Sequence, residues 1–124
     1  MVSDPQTGPL YARVASLYKA GVRIALGQDD IADAYYAFGR NNMLEVAFLA
    51  AHLMWMSSRE EMEILYNLIT TNAAEALNLQ GHKLVEGGNA DLVVLDAGSV
   101  WEGIWNHEAP LHVIKNGLEI TEKK

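Results

Sequence analysis

The sequence predicts an α/β chain: one buried strand set among helices, followed by a run of short strands. Three observations carry this. Val22-Arg23-Ile24-Ala25-Leu26 is a short apolar run between Gly21 and Gly27, too short for a helix and of the kind that strands covered on both faces show. Residues 9–20 and 42–77 carry helical apolar spacing with capping residues at the breaks. After Leu79 the composition changes, and Gly81, Gly87, Gly88, Gly98, Gly103 and Gly117 punctuate short runs of Val, Ile and Leu. A boundary near residues 80–88 therefore divides the chain into 1–80, mainly helical with one strand, and 81–124, a small β segment.

In order, Pro9 opens a helix reaching Ala20, with Leu10, Val14, Leu17 and Tyr18 on one face and Gly21 as its stop. Residues 22–26 are the buried strand. Residues 30–41 form a loop whose Tyr35, Tyr36 and Phe38 look into a pocket. Asn42 caps a helix to about Met56, apolar on nearly every side and so expected to be buried all round. Ser58 with Glu61 three residues on reads as a capping box for a helix from Arg59 to about Leu68. Thr70 or Thr71 caps a shorter one ending at Leu77. Strands follow at 90–96, 111–115 and 118–121, the last two joined by the hairpin dipeptide Asn116-Gly117.

Half of the 124 residues are hydrophobic and 20% are charged, an ordinary folded composition. With 9 basic and 16 acidic side chains the net charge is −7. A nucleic-acid partner, which calls for clustered Lys and Arg, is therefore not expected. There is no cysteine, which excludes disulfides and zinc–thiolate sites and suits a cytoplasmic location. No apolar run approaches the roughly 18 residues that span a membrane, so no membrane partner is expected. The first nine residues lack the basic and apolar regions of a signal peptide.

The chemistry concentrates where the strand ends, at Gly27-Gln28-Asp29-Asp30. A glycine turn there delivers two adjacent carboxylates to the C-terminal end of a buried strand. In barrels of parallel strands that end forms the mouth of the active site. A carboxylate so placed can hold a metal ion or move a proton. The other reading of the same residues is structural: Asp29 or Asp30 as the N-cap of the next element.

The stretch from Ala20 to Gly39, centred on Gly27-Gln28-Asp29-Asp30-Ile31 with Tyr35-Tyr36, resembles the segment around the last barrel strand of cytosine deaminases in the amidohydrolase superfamily. Asn42-Met43-Leu44-Glu45-Val46-Ala47 and the run from Ile69 to Leu79 fit the same pattern. Gly88-Asn89-Ala90-Asp91-Leu92-Val93-Val94-Leu95-Asp96 and Val113-Ile114-Lys115-Asn116-Gly117 resemble the small β domain that ends these enzymes. The parts occur in the family's order, from about Leu10 to Ile120.

The resemblance implies the C-terminal part of an amidohydrolase (β/α) barrel, its last strand and helices, followed by short strands of the small β domain. It implies a metal-dependent hydrolase, using zinc or iron, that removes an exocyclic amine from a cytosine-like ring. Asp29 would be the catalytic carboxylate and metal ligand, Asp30 a contact to the pyrimidine, and Tyr35 an aromatic wall of the pocket where the family often carries tryptophan. Asp33 would order the loop.

The family's metal site also takes a His-x-His pair and further histidines from other strands. His52, His82, His107 and His112 do not supply them, and 124 residues are half of the about 250 that a whole barrel takes. The expectation is a C-terminal piece, inactive alone and holding no metal tightly. Two alternatives stay open: a non-catalytic module that associates with itself or a partner, and an amidohydrolase acting on another heterocycle by deamination or dechlorination.

Among the remaining residues, His52 reads as a hydrogen-bonded core histidine. Trp55, Met43, Met54, Met56 and Met62 read as core packing. Trp101 and Trp105 read as cover for an exposed sheet or an interface. A strand and an apolar helix cut out of a barrel expose edges and patches that drive association, so a homo-oligomer, or a complement supplying the missing strands, is the expected partner.

Overall fold

The computed structural model describes residues 12–121; the expected opening of the first helix at Pro9 lies outside them. Within them the order is α1 (Ala12–Lys19), α2 (Met43–Met54), α3 (Arg59–Ile69), α4 (Thr71–Ala76), β1 (Leu92–Val94), α5 (Val100–Asn106), β2 (His112–Lys115) and β3 (Leu118–Glu119).

Capping chemistry sets the helix ends. The Asn42 side chain accepts the Leu44 N–H at 2.9 Å and starts α2. The helix closes with the N–H of Met56 on the Ala51 carbonyl and that of Trp55 on the His52 carbonyl, the paired bonds of a Schellman stop. Trp55 takes the left-handed position there, at φ 57°. The capping box of α3 forms as the spacing predicts: Ser58 Oγ accepts the Glu61 N–H, and Glu61 Oε2 accepts the N–H groups of Ser57 and Ser58 at 2.9 Å each. Thr70 precedes α4 without capping it; its hydroxyl donates to the Tyr66 carbonyl at 2.7 Å instead.

Helices α2, α3 and α5 close the core. Ala47, Leu65, Leu68 and Ile104 have no exposed surface, and Met56 and Met62 pack with them as expected. Each fully buried leucine or isoleucine contributes about 1.5–3 kcal/mol. Ile104 is in the same cluster as Leu65, so the buried core draws on residues either side of position 80.

The sheet is antiparallel in the order β1-β2-β3, with Leu92 opposite Ile114 and Val94 opposite His112. Asn116 and Gly117 turn the hairpin at φ 50° and 76°, the pair of positive angles that an Asn-Gly turn provides. Asp91 braces it, accepting the Asn116 N–H at 2.8 Å and pairing with Lys115.

Four expectations need correction. Residues 22–26 form no strand: the described strands pair only with one another, so this segment has no ladder and holds on by the Leu26 N–H to the Leu68 carbonyl at 2.9 Å. Helix α2 is buried on one face only, because Leu49 and Leu53 have no described neighbour to cover them. His52 is exposed rather than in the core, its Nδ1 2.8 Å from the Phe48 carbonyl. Trp55 is 85% exposed, since the left-handed stop turns it away from the face that α2 buries.

Helix α5 was not legible as a helix because Gly98 and Gly103 read as strand punctuation. Its signal is nonetheless present. Ser99 and Glu102 repeat the capping spacing of Ser58 and Glu61, and Ser99 Oγ accepts the Glu102 N–H while Glu102 accepts that of Gly98. Trp101 and Trp105 stack on this helix, with ring centroids 5.2 Å apart.

Candidate active site

Residues 22–30 hold a strand-like alternation without a ladder. Ile24, Leu26, Gln28 and Asp30 are half-buried, while Arg23, Ala25, Gly27 and Asp29 are exposed. This is the period of two that an extended chain imposes. The segment runs into an open cleft of about 590 Å³ between it and α2. Asp29, Asp30, Tyr35 and Tyr36 line the cleft on one side, and Val46, Leu49 and Leu53 on the other. The residues singled out in the sequence thus share one cavity. No helix follows Asp29 and Asp30 closely; the next begins at Met43 under the Asn42 cap, so the capping reading of the two aspartates does not hold.

The loop beyond is folded by Asp33, whose Oδ1 accepts the N–H groups of Tyr35 and Tyr36, each at 2.8 Å. Those bonds, the Tyr36 N–H first, hold the Asp33 carboxyl below its ordinary value. Asp30 moves the other way. A hydrogen bond shared with Asp33 raises it most, and burial and the charges of Asp33 and Asp29 add to this. The two carboxyls are thus displaced in opposite directions by their shared surroundings. Tyr35 stands at the rim, 93% exposed. Tyr36 is half-buried; burial, and then a hydrogen bond to Glu45, push its hydroxyl up.

Glu45 anchors this loop to α2. It is 9% exposed, accepts the Arg40 N–H at 3.2 Å and lies 3.8 Å from Arg40 Nε. Sequence reasoning did not single out Glu45 or Gln28. A charged residue on the buried stripe of α2 marks the first. The alternation of residues 24, 26, 28 and 30 marks the second.

The described residues do not by themselves fit a metal ion. Among the described residues no three His, Cys, Asp or Glu side chains converge on one point, and none of the four histidines lines the cleft. Tight transition-metal sites take three or four protein ligands.

The Amidohydrolase family profile matches residues 1–117. The chain belongs to the amidohydrolase family. N-isopropylammelide isopropyl amidohydrolase of Pseudomonas sp. (strain ADP) is 30% identical over 121 residues, covering 97% of this chain and 29% of that enzyme. The crystal structure of 5-methylcytosine deaminase from Klebsiella pneumoniae liganded with 5-fluorocytosine superposes with a TM-score of 0.79 at 31% identity, covering 90% of this chain and 27% of that one. N-isopropylammelide isopropylaminohydrolase from Burkholderia multivorans ATCC 17616 superposes with a TM-score of 0.80 at 26% identity, covering 86% and 27%. This amidohydrolase chain has the α/β fold of those enzymes and spans less than a third of their length. Among its described residues no helix is long and apolar enough to cross a membrane.

Proposed function

We propose that this chain is the C-terminal part of a cytoplasmic, metal-dependent amidohydrolase that hydrolyses an exocyclic amine from a nitrogen heterocycle, a cytosine-like ring first. Residues 1–80 are the end of its barrel and residues 81–124 belong to its small β domain. The observation that carries the reading is the cleft itself: Asp29, Asp30 and Tyr35 line one cavity at the end of a segment with strand periodicity. The similarity to a 5-methylcytosine deaminase over 90% of the chain supports it.

In this reading water adds to the ring carbon that bears the amine. Asp29 takes a proton from the attacking water and returns it to the departing amine, the carbon–nitrogen bond breaks, ammonia leaves, and the proton of the added hydroxyl passes to the neighbouring ring nitrogen so that a ring carbonyl remains. The half-buried Asp30 contacts the ring, and Tyr35 flanks it at the rim. In the parent enzyme Asp29 is also one ligand of a zinc or iron ion. Its other ligands come from outside this chain, which alone releases no ammonia.

Two relatives named for N-isopropylammelide favour a second reading on the same residues, in which the group that leaves the ring is an alkylamine. Ammonia and alkylamine release from cytosine and from N-isopropylammelide, measured on a full-length protein carrying this segment, tests both. Asp29→Asn lowers turnover at least about a hundredfold if Asp29 moves the proton. Full activity in that variant contradicts the role. Turnover by the isolated chain that disappears in Asp29→Asn contradicts the division of the site between segments.

A further inference from the structure

Gln28 sits inside the half-buried row of residues 22–30, next to Asp29. Its Nε2 donates to the main-chain carbonyl of Asp30 at 2.8 Å, so the side chain spans Asp29 from one neighbour to the other. A carbonyl can only accept, which fixes the amide with its nitrogen toward Asp30 and its oxygen away. That oxygen, Oε1, is sealed from solvent and has no hydrogen-bond partner among the described residues; no other described side-chain polar atom shares this state. A buried acceptor left unpaired is destabilising, and leucine, close in size, would not carry the penalty.

The main chain around Asp29 has little else to hold it. Along the described chain the last main-chain bond donated before it is from Leu26 to Leu68, and the next is from Gly39 to Tyr36. The Asp33 bonds act beyond it, on Tyr35 and Tyr36.

We infer that Gln28 is a positioning residue: its side-chain amide braces the turn through Asp29 and Asp30 and holds the Asp29 carboxylate toward the cleft, at a cost in stability from its own buried oxygen. Unpaired or strained groups kept at a site, where a simpler residue would be more stable, are the expected signature of such a role.

The brace can be read on this chain without turnover. In Gln28→Leu, nitrogen-15 relaxation should show the Asp29 and Asp30 amide order parameters falling from about 0.85 to below about 0.6, while the melting temperature rises by about 2–5 °C. Gln28→Glu keeps the shape and loses the donor; it should loosen the turn equally and lower the melting temperature. A merely structural glutamine would lower the melting temperature in both variants. That result, or an undisturbed turn in Gln28→Leu, overturns the inference.

Its catalytic meaning rests on the proposed function. In an active full-length protein, Gln28→Leu should lower kcat by about tenfold or more with KM little changed, since small misplacements of a reacting group are costly. An unchanged kcat overturns the positioning role. Failure of the wild-type full-length protein to release any amine contradicts the proposed function instead, and the relaxation result still decides the brace.

Discussion

On one face of α2, Leu44, Ala47, Ala50 and Ala51 are buried against the rest of the helical core. On the other, Leu49 and Leu53 stand 39% and 63% exposed at the wall of the cleft that holds Asp29 and Tyr35. The two faces have similar apolar chemistry and opposite surroundings. The difference teaches that hydrophobicity marks a surface made to be covered without saying which segment covers it. The closed face finds its cover within this chain, in Leu65 and Leu68 of α3 and Ile104 of α5. The open face does not, and it looks across the cleft at the carboxylates of Asp29 and Asp30.

The largest expected effect separates the faces directly. Leu65→Ala on the closed side removes a side chain with no exposed surface and should cost about 2–5 kcal/mol. Leu53→Ala on the open side should cost less than about 0.5 kcal/mol. Urea unfolding of the isolated chain measures both, and equal losses would break the comparison. A smaller effect falls on the capping box: Ser58→Ala should cost about 1 kcal/mol, whereas Asp33→Ala in the open loop should leave global stability nearly unchanged and loosen only residues 33–36 in hydrogen exchange.

Acid should act in both senses on the open loop, where Asp33 is held below its ordinary value and Asp30 above it, and in one sense on α3 and the hairpin. Asp91, Glu61 and Glu119 are held below their ordinary values, Asp91 by the Asn116 N–H and Lys115, Glu61 by Ser58, and Glu119 by His112. A carboxylate depressed in the folded state contributes stability that is present above its unfolded value and is lost as pH falls through the folded one. Stability should therefore decline below about pH 4, and Asp91→Asn should make the decline shallower. Asp30, held above its ordinary value, contributes in the opposite sense: its share is present at low pH and lost as pH rises through the folded value. Asp30→Asn should remove that share without protecting the hairpin from acid.

The smallest change in stability accompanies a change in association. Leu49→Asp with Leu53→Asp should leave the unfolding free energy within about 0.5 kcal/mol and convert any dimer seen by sedimentation at low micromolar concentration to monomer, because the open face is the largest uncovered apolar surface on α2. Wild-type chain that sediments as a monomer would show that this face needs no cover.

The closed region was the more legible in the sequence, since its signals are local. Asn42, Ser58 with Glu61, and Asn116-Gly117 each fix a cap or turn by bonds to residues a few positions away. The strand expected at residues 22–26 failed because a strand exists only with a neighbour, and its period of two survives in burial alone. Trp55 failed because a left-handed stop reversed the direction that helical spacing implied. Helix α5 was hidden by its glycines, although Gly103 sits inside it with Leu95 3.4 Å from where a Cβ would stand, a close approach. At the cleft, Asp29, Asp30 and Tyr35 were legible as a group. Gln28 and Glu45 were not, because what distinguishes them is burial beside a polar partner.

Calorimetric titration with zinc tests most directly whether the open face is one part of a divided site. The isolated chain should show no one-to-one binding tighter than about micromolar, because a carboxylate pair alone falls short of three or four ligands. A full-length amidohydrolase carrying this segment should bind one zinc ion tightly and lose that binding in Asp29→Asn. Tight stoichiometric binding to the isolated chain, or tight binding that survives Asp29→Asn in the full-length protein, would contradict the account.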